Sequence, residues 1–230
     1  MMNKPLMTIA VDGPVSAGKS TLSDALARRL NILHLDSGAM YRAVGLYALR
    51  NGISPDDEAA LNQVIDKGQA QVTVDYRDGQ QITLLNGRDV TGELRGEAVG
   101  AAASAVSRFP AVRQYLVSLQ QQLARERSIL MDGRDIGTVV LPEAGVKIFL
   151  TASPEDRALR RYTQLIADGF NVDYPTVLKD LQARDEQDSK RAADPLRAAE
   201  DAVVLDTSSF SFEQSLQAML DIVEQVYGSH

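Results

Sequence analysis

Short apolar runs alternate along this chain with longer stretches in which apolar residues recur every three or four positions. Leu6 to Val11, Ser128 to Met131, Val146 to Leu150 and Ala202 to Leu205 are the short runs, each of the length expected for a buried strand. Leu22, Leu26 and Leu30 fall at i, i+4 and i+8, and Phe212, Leu216, Met219, Leu220, Val223 and Tyr227 form one apolar stripe that reads as core. Helix starts are marked as well. Ser153-Pro154-Glu155-Asp156 sets an N-cap serine, a proline and two acids in order, predicting a helix to about Asp168-Gly169, and Ser211-Phe212-Glu213-Gln214 has the capping-box pattern. Strands separated by amphipathic helices predict an α/β protein, a parallel sheet flanked by helices.

One region breaks this rhythm. Gln71 to Tyr76 and Gln81 to Leu85 alternate with period two around Arg77-Asp78-Gly79-Gln80, which predicts an antiparallel hairpin, and Asn86 to Val90 can add a short third strand. A small antiparallel insertion is therefore expected over 67–107, inside a single domain spanning 1–230.

The most specific motif follows the first apolar run. Gly13-Pro14-Val15-Ser16-Ala17-Gly18-Lys19-Ser20 fits G-x-x-x-x-G-K-[ST] between a predicted strand and a predicted helix. Its glycines let several backbone N–H groups converge on one phosphate cluster; Lys19 reaches the β/γ-phosphates, and the Ser20 hydroxyl can ligate Mg²⁺. A helix starting at Lys19 directs its positive end at the same anion. The expected ligand is a nucleoside triphosphate. Ile129-Leu130-Met131-Asp132, an apolar strand ending in a carboxylate, supplies the second element such a site needs, with Asp132 orienting Mg²⁺, partly through water, near Ser20.

Composition narrows the rest. The 230 residues are 44% hydrophobic and 24% charged, enough for one substantial core. A net charge of −7 argues against a nucleic-acid polymer or an acidic membrane surface as the main partner. Phosphate recognition must then come from local arginine clusters. The absence of cysteine excludes disulfides, thiolate metal sites and a thiol nucleophile, and two histidines leave little scope for zinc. His34 reads as a structural residue and His230 as part of a mobile terminus. Without a signal-like or membrane-length apolar run, the chain is expected to be cytoplasmic, and a monomer.

The arginines indicate an acceptor. Asp36-Ser37-Gly38-Ala39-Met40-Tyr41-Arg42 places a serine near a helix start and an arginine about a turn later, a set suited to a second phosphate or, more plainly, an N-cap serine beside a surface arginine. Arg134 and Asp135 follow Asp132 at a strand's C-terminal edge, where α/β proteins bind ligands. Arg157, Arg160 and Arg161 share one helix face, and Arg184, Asp188 and Arg191 share another, on either side of a loop containing Asp168-Gly169-Phe170. Either face could be a solvated charge stripe; together, flanking a glycine loop, they predict a closing lid over 154–191.

Taken together, Gly13 to Thr21, Asp36 to Arg42, Asp132-Gly133-Arg134-Asp135-Ile136-Gly137-Thr138-Val139-Val140 and Arg184-Asp185-(x)₂-Asp188-(x)₂-Arg191 resemble the bacterial cytidylate kinases, over essentially the whole chain. The resemblance implies a P-loop NTPase-type sheet with the antiparallel insertion in its monophosphate-binding part and a short helical lid. It implies transfer of the ATP γ-phosphoryl group to CMP or dCMP, with Mg²⁺. Gly13, Pro14, Val15, Ser16, Ala17, Gly18, Lys19, Ser20 and Thr21 would bind ATP. Ser37, Arg42 and Arg134 would hold the acceptor phosphate, and Ser104, Arg113 and Asp135 would read cytosine, with Ser107 a competitor for the place of Ser104. Arg184, Asp188 and Arg191 would take the sugar and phosphate side, and Arg157 and Arg161 would be lid arginines. Lys19, Arg42, Arg134, Arg157 and Arg161 would carry the catalysis.

Overall fold

The structure is a computed structural model and describes residues 6–228; His230 lies outside them. The chain runs β1 Thr8–Asp12, α1 Lys19–Leu30, β2 Leu33–Asp36, α2 Ser37–Arg50, α3 Glu58–Asp66, β3 Val72–Arg77, β4 Gln80–Leu85, β5 Arg88–Asp89, α4 Glu97–Val106, α5 Pro110–Glu126, β6 Ile129–Gly133, β7 Val146–Thr151, α6 Pro154–Ala167, α7 Tyr174–Lys190, β8 Val203–Asp206 and α8 Phe212–Tyr227. The helix-flanked five-stranded sheet has the order β2-β6-β1-β7-β8, with β1 and β7, and β7 and β8, paired in parallel. A separate three-stranded sheet, β3-β4-β5, is antiparallel, with Val72 opposite Leu85 and Arg77 opposite Gln80.

The chain divides into two compact units, one joining the segment up to Ile32 to everything from Leu130 onward, the other Leu33–Ile129. In the first, Ile9 and Val11 of β1 and Ile148 and Leu150 of β7 share a core with Leu22 and Leu26 of α1 and Met219 and Val223 of α8. This is the burial that the period-four leucines predict. Helix α8 starts on Ser211 with both bonds of a capping box, but Phe212, expected in the apolar stripe, is exposed; at the first helical position it precedes the buried face formed by Met219, Leu220 and Val223. At the other end of α8, the Tyr227 hydroxyl accepts from Thr8 N at 3.2 Å.

In the second unit, α2 lies close against α4. A Cβ on Gly45 would come within 2.9 Å of Ala103 N and 3.0 Å of Ala102 Cβ, so glycine and two alanines set the approach of these helices. The hairpin turns at Asp78 and Gly79 with φ of 53° and 76°, the left-handed pair that an Asp-Gly turn demands. Strand β2, four residues interrupted by His34, lacked a long enough apolar run to be read beforehand. Among the described residues, no helix is long and apolar enough to cross a membrane.

Candidate active site

The phosphate loop leaves β1 at Asp12. Gly13 has no alternative there, because a Cβ would overlap the Leu150 carbonyl of β7. Gly18, at φ 88°, is the left-handed N-cap of α1, and no described side chain caps that helix. Its first N–H groups are therefore left to an incoming anion. Lys19 is buried at 5% exposure, its Nζ donating to Pro14 O at 2.7 Å. Burial pushes its ammonium down to about 7, with Arg134 adding to the effect and Asp132, Asp12 and Asp188 opposing it. An anionic triphosphate would draw that pKa back up. The Ser20 hydroxyl donates to Asp132 Oδ2 at 2.8 Å. This pairing of a hydroxyl with a strand-end carboxylate is a hard-oxygen donor set that fits Mg²⁺, whose remaining positions are usually filled by phosphates and water.

The D-G-R-D segment starts within β6, whose last residues are Asp132 and Gly133, and runs through Arg134 and Asp135 into a wide turn over Ile136–Val140. Its anchor is Asp12, buried at 5% exposure, whose two carboxylate oxygens accept from Ile136 N and Gly137 N, both at 2.7 Å. Desolvation raises the Asp12 carboxyl to about 6; the two amides pull it back, the Asp135 charge raises it further and Lys19 lowers it. Arg134 Nε donates to Asp188 Oδ2 at 2.7 Å, and Arg191 NH2 lies 3.4 Å from Asp135 Oδ1. Helix α7 thus brings Asp188 to Arg134, while Arg191, expected on the same helix face, is instead the extended residue that ends α7 and lies beside Asp135. Arg184 is half-buried on the same helix.

Helix α6 contributes Arg157, which is buried. Its Nε donates to Ala152 O at 2.9 Å and its NH1 to Val15 O at 3.0 Å, with Asp185 Oδ2 2.7 Å from the same nitrogen. Asp185 also accepts from Val15 N at 3.3 Å. Arg157 and the phosphate loop are therefore in direct contact. Arg160 turns instead to Thr207 O at 2.9 Å, and desolvation lowers the half-buried Arg161, with Asp168 opposing.

The second unit holds the remaining candidates. Helix α2 is capped by Asp36, one position earlier than the serine: its Oδ1 accepts from Ala39 N at 3.1 Å and its Oδ2 from Arg42 NH2 at 2.6 Å. Ser37 is the first residue of α2 and is buried. Arg113 on α5 is buried, with its guanidinium 5.8 Å from the Tyr41 ring centroid and NH1 donating to Ser107 O at 3.3 Å. Ser104 lies on α4, and the Ser107 hydroxyl turns back to the Ser104 carbonyl at 2.9 Å.

The family model for cytidylate kinase matches residues 9–225. The chain belongs to the cytidylate kinase family. A cytidylate kinase of Caldicellulosiruptor bescii is 47% identical over 220 residues, covering 96% of each chain. One from Mycolicibacterium paratuberculosis is 49% identical over 220 residues, covering 95% of this chain and 96% of its own. Among solved structures, an uncharacterized protein from Eubacterium ventriosum superimposes with a TM-score of 0.52 at 10% identity, covering 95% of this chain and 98% of its own, a likeness of fold.

Sequence reasoning missed Asp12, Asp36 and Asp185 as parts of these clusters. Asp12 and Asp36 did carry a signal, since each ends an apolar strand just before a candidate loop or helix. Asp185 stands in the Arg184-to-Arg191 motif, but nothing local points to its partners Val15 and Arg157, which are far away in sequence.

Proposed function

We propose that this member of the cytidylate kinase family moves the γ-phosphoryl group of ATP to CMP or dCMP, giving ADP and CDP or dCDP, as a monomer in the cytoplasm. Family membership supports the acceptor. The observation that carries the donor side is the uncapped start of α1 with buried Lys19 and the Ser20–Asp132 pair beside it.

In this reading an oxygen of the CMP phosphate attacks the γ-phosphorus. The bond from that phosphorus to the β,γ-bridging oxygen breaks, and its electron pair leaves on ADP. A nucleoside monophosphate is largely a dianion near neutral pH, so the attack needs no dedicated base, and positioning with charge stabilisation supplies the rate. Lys19 and the α1 amides hold the β- and γ-phosphates, and Arg157, already against the phosphate loop, faces the moving group. Ser37, Arg42 and Arg134 grip the acceptor phosphate. Asp135, Ser104 and Arg113 read cytosine: a carboxylate accepting from the exocyclic amine rejects uracil, whose carbonyl would face it unpaired. Arg184, Asp188 and Arg191 take the sugar side, Arg161 completes the lid over 154–191, and residues 67–107 form the monophosphate-binding insertion. Ser20 and Asp132 would hold Mg²⁺, partly through water, and the ion would neutralise charge on the β- and γ-oxygens.

A coupled ADP-release assay across CMP, dCMP, UMP and AMP tests this. Rapid ADP formation with CMP or dCMP supports it; preference for UMP or AMP overturns the roles of Asp135 and Arg113.

A further inference from the structure

No residue of the β3–β4 hairpin is among the proposed ligands of either nucleotide, yet one side chain of β4 reaches the start of α2. The Gln81 amide grips the main chain of Asp36 from both sides. Its Oε1 accepts from Asp36 N at 2.7 Å, and its Nε2 donates to Asp36 O at 3.3 Å and to Thr83 Oγ1 at 3.2 Å. A flipped amide would set a donor against the Asp36 N–H, so the network fixes its orientation. Thr83 is buried and held in turn, its N–H donating to Thr91 Oγ1 at 2.9 Å.

Asp36 is the residue on which this end of α2 depends. One carboxylate oxygen caps the helix through Ala39 and the other pairs with Arg42. A Cβ on Gly38 would lie 3.0 Å from both Asp36 Oδ1 and Arg42 NH1, so the pair packs directly over that glycine. Any shift of the Asp36 backbone moves the cap, Ser37 and the Arg42 guanidinium together. Such shifts weaken a bound phosphate because each donor must meet a specific oxygen.

We propose that Gln81 is a positioning residue for the acceptor phosphate, acting through Asp36 on Ser37 and Arg42, and that one task of the hairpin is to deliver it. The inference rests on the reading of Ser37 and Arg42 as acceptor-phosphate ligands.

The test is steady-state kinetics with CMP and ATP varied in turn, together with thermal melts, on wild type, Gln81→Ala, Asp36→Asn and Arg42→Ala. Gln81→Ala should raise KM for CMP about tenfold, with kcat and KM for ATP within about twofold of wild type, the loss expected from a few hydrogen bonds. Asp36→Asn keeps an N-cap of equal quality but loses the charge pair, so it should raise KM for CMP by a similar factor at unchanged Tm. A rise in KM for CMP with Arg42→Ala, but wild-type values for Gln81→Ala, overturns the proposal. So does a Gln81→Ala variant that loses activity toward both substrates in parallel with its Tm, since that marks a purely structural role. A flat response to Arg42→Ala overturns the acceptor-phosphate reading, and the proposal with it.

Discussion

Strands β1 and β2 both end in aspartate, and each leads to a helix that starts at a candidate phosphate site, yet the two carboxylates are used in opposite ways. Asp12 turns away from its own helix and accepts from Ile136 and Gly137, more than a hundred residues on. Asp36 caps its own helix through Ala39 and pairs with Arg42 six positions on. The start of α1 is consequently bare, with backbone amides for an anion, whereas α2 has its cap filled and offers side chains instead. The first arrangement suits a polyphosphate enclosed by a loop. The second suits a monophosphate that must also be told apart from its neighbours, because an arginine fork is more directional than a helix end.

The sharpest break in this comparison is Lys19→Ala. At the bare helix the buried lysine sets a charge beside the backbone amides, so kcat should fall roughly a thousandfold with CMP and dCMP alike. Turnover within a few-fold of wild type would mean that the amides of α1 suffice.

The next effect is the pH dependence that burial gives Asp12. Asp12 is held at about 6 against an ordinary value of 3.8, so between those values the folded state binds more protons than the unfolded one. Its contribution to stability is full below about 4 and is lost as pH rises through 6, an amount of about 3 kcal/mol from the shift. Urea denaturation of wild type and Asp12→Asn from pH 4 to 7 isolates this contribution, because other groups cancel in the difference. Wild type should lose stability relative to the variant as pH rises; a difference independent of pH would show that Asp12 is not buried as a carboxylate.

Such differences explain what the sequence made legible. The phosphate loop, the Asp-Gly hairpin and the Ser153 and Ser211 caps are local, each fixed by residues within a few positions of one another, so spacing reveals them. Strand β2 escaped because four residues containing a histidine leave no clear period. The clusters around Asp12, Gln81 and Asp185 escaped for a different reason. Gln81 reaches Asp36 across 45 residues and Asp185 reaches Val15 across 170, and no pattern in one chain marks which distant amide a carboxylate or carboxamide will meet. The candidate ligands were suggested by their chemistry and by family resemblance. The residues that hold them became visible only in the fold.

Asp135→Ala probes recognition beyond the phosphates. Asp135 lies 3.4 Å from Arg191 and is buried, so its removal should lower the CMP to UMP ratio of kcat/KM by about tenfold, the scale of one lost polar contact. Equal loss with every acceptor would place Asp135 in phosphate positioning or folding instead.

The smallest predicted effect compares the two helix starts by a single methyl group. Gly18 holds φ 88°, so alanine there strains the backbone of the bare helix start whatever space surrounds it. Gly38 lies within α2, where alanine is the better helix former by about 1 kcal/mol, and its new Cβ would meet only the ends of the Arg42 and Asp36 side chains at 3.0 Å. Those ends can move by a few tenths of an ångström, so Gly38→Ala should leave Tm within a few degrees of wild type. The shifted Arg42 should meanwhile raise KM for CMP about threefold, with KM for ATP unchanged, the cost of loosening one hydrogen bond. Because the substitution favours the helix while disturbing the fork, a KM for CMP equal to wild type would show that Arg42 moves freely away from Asp36 on binding.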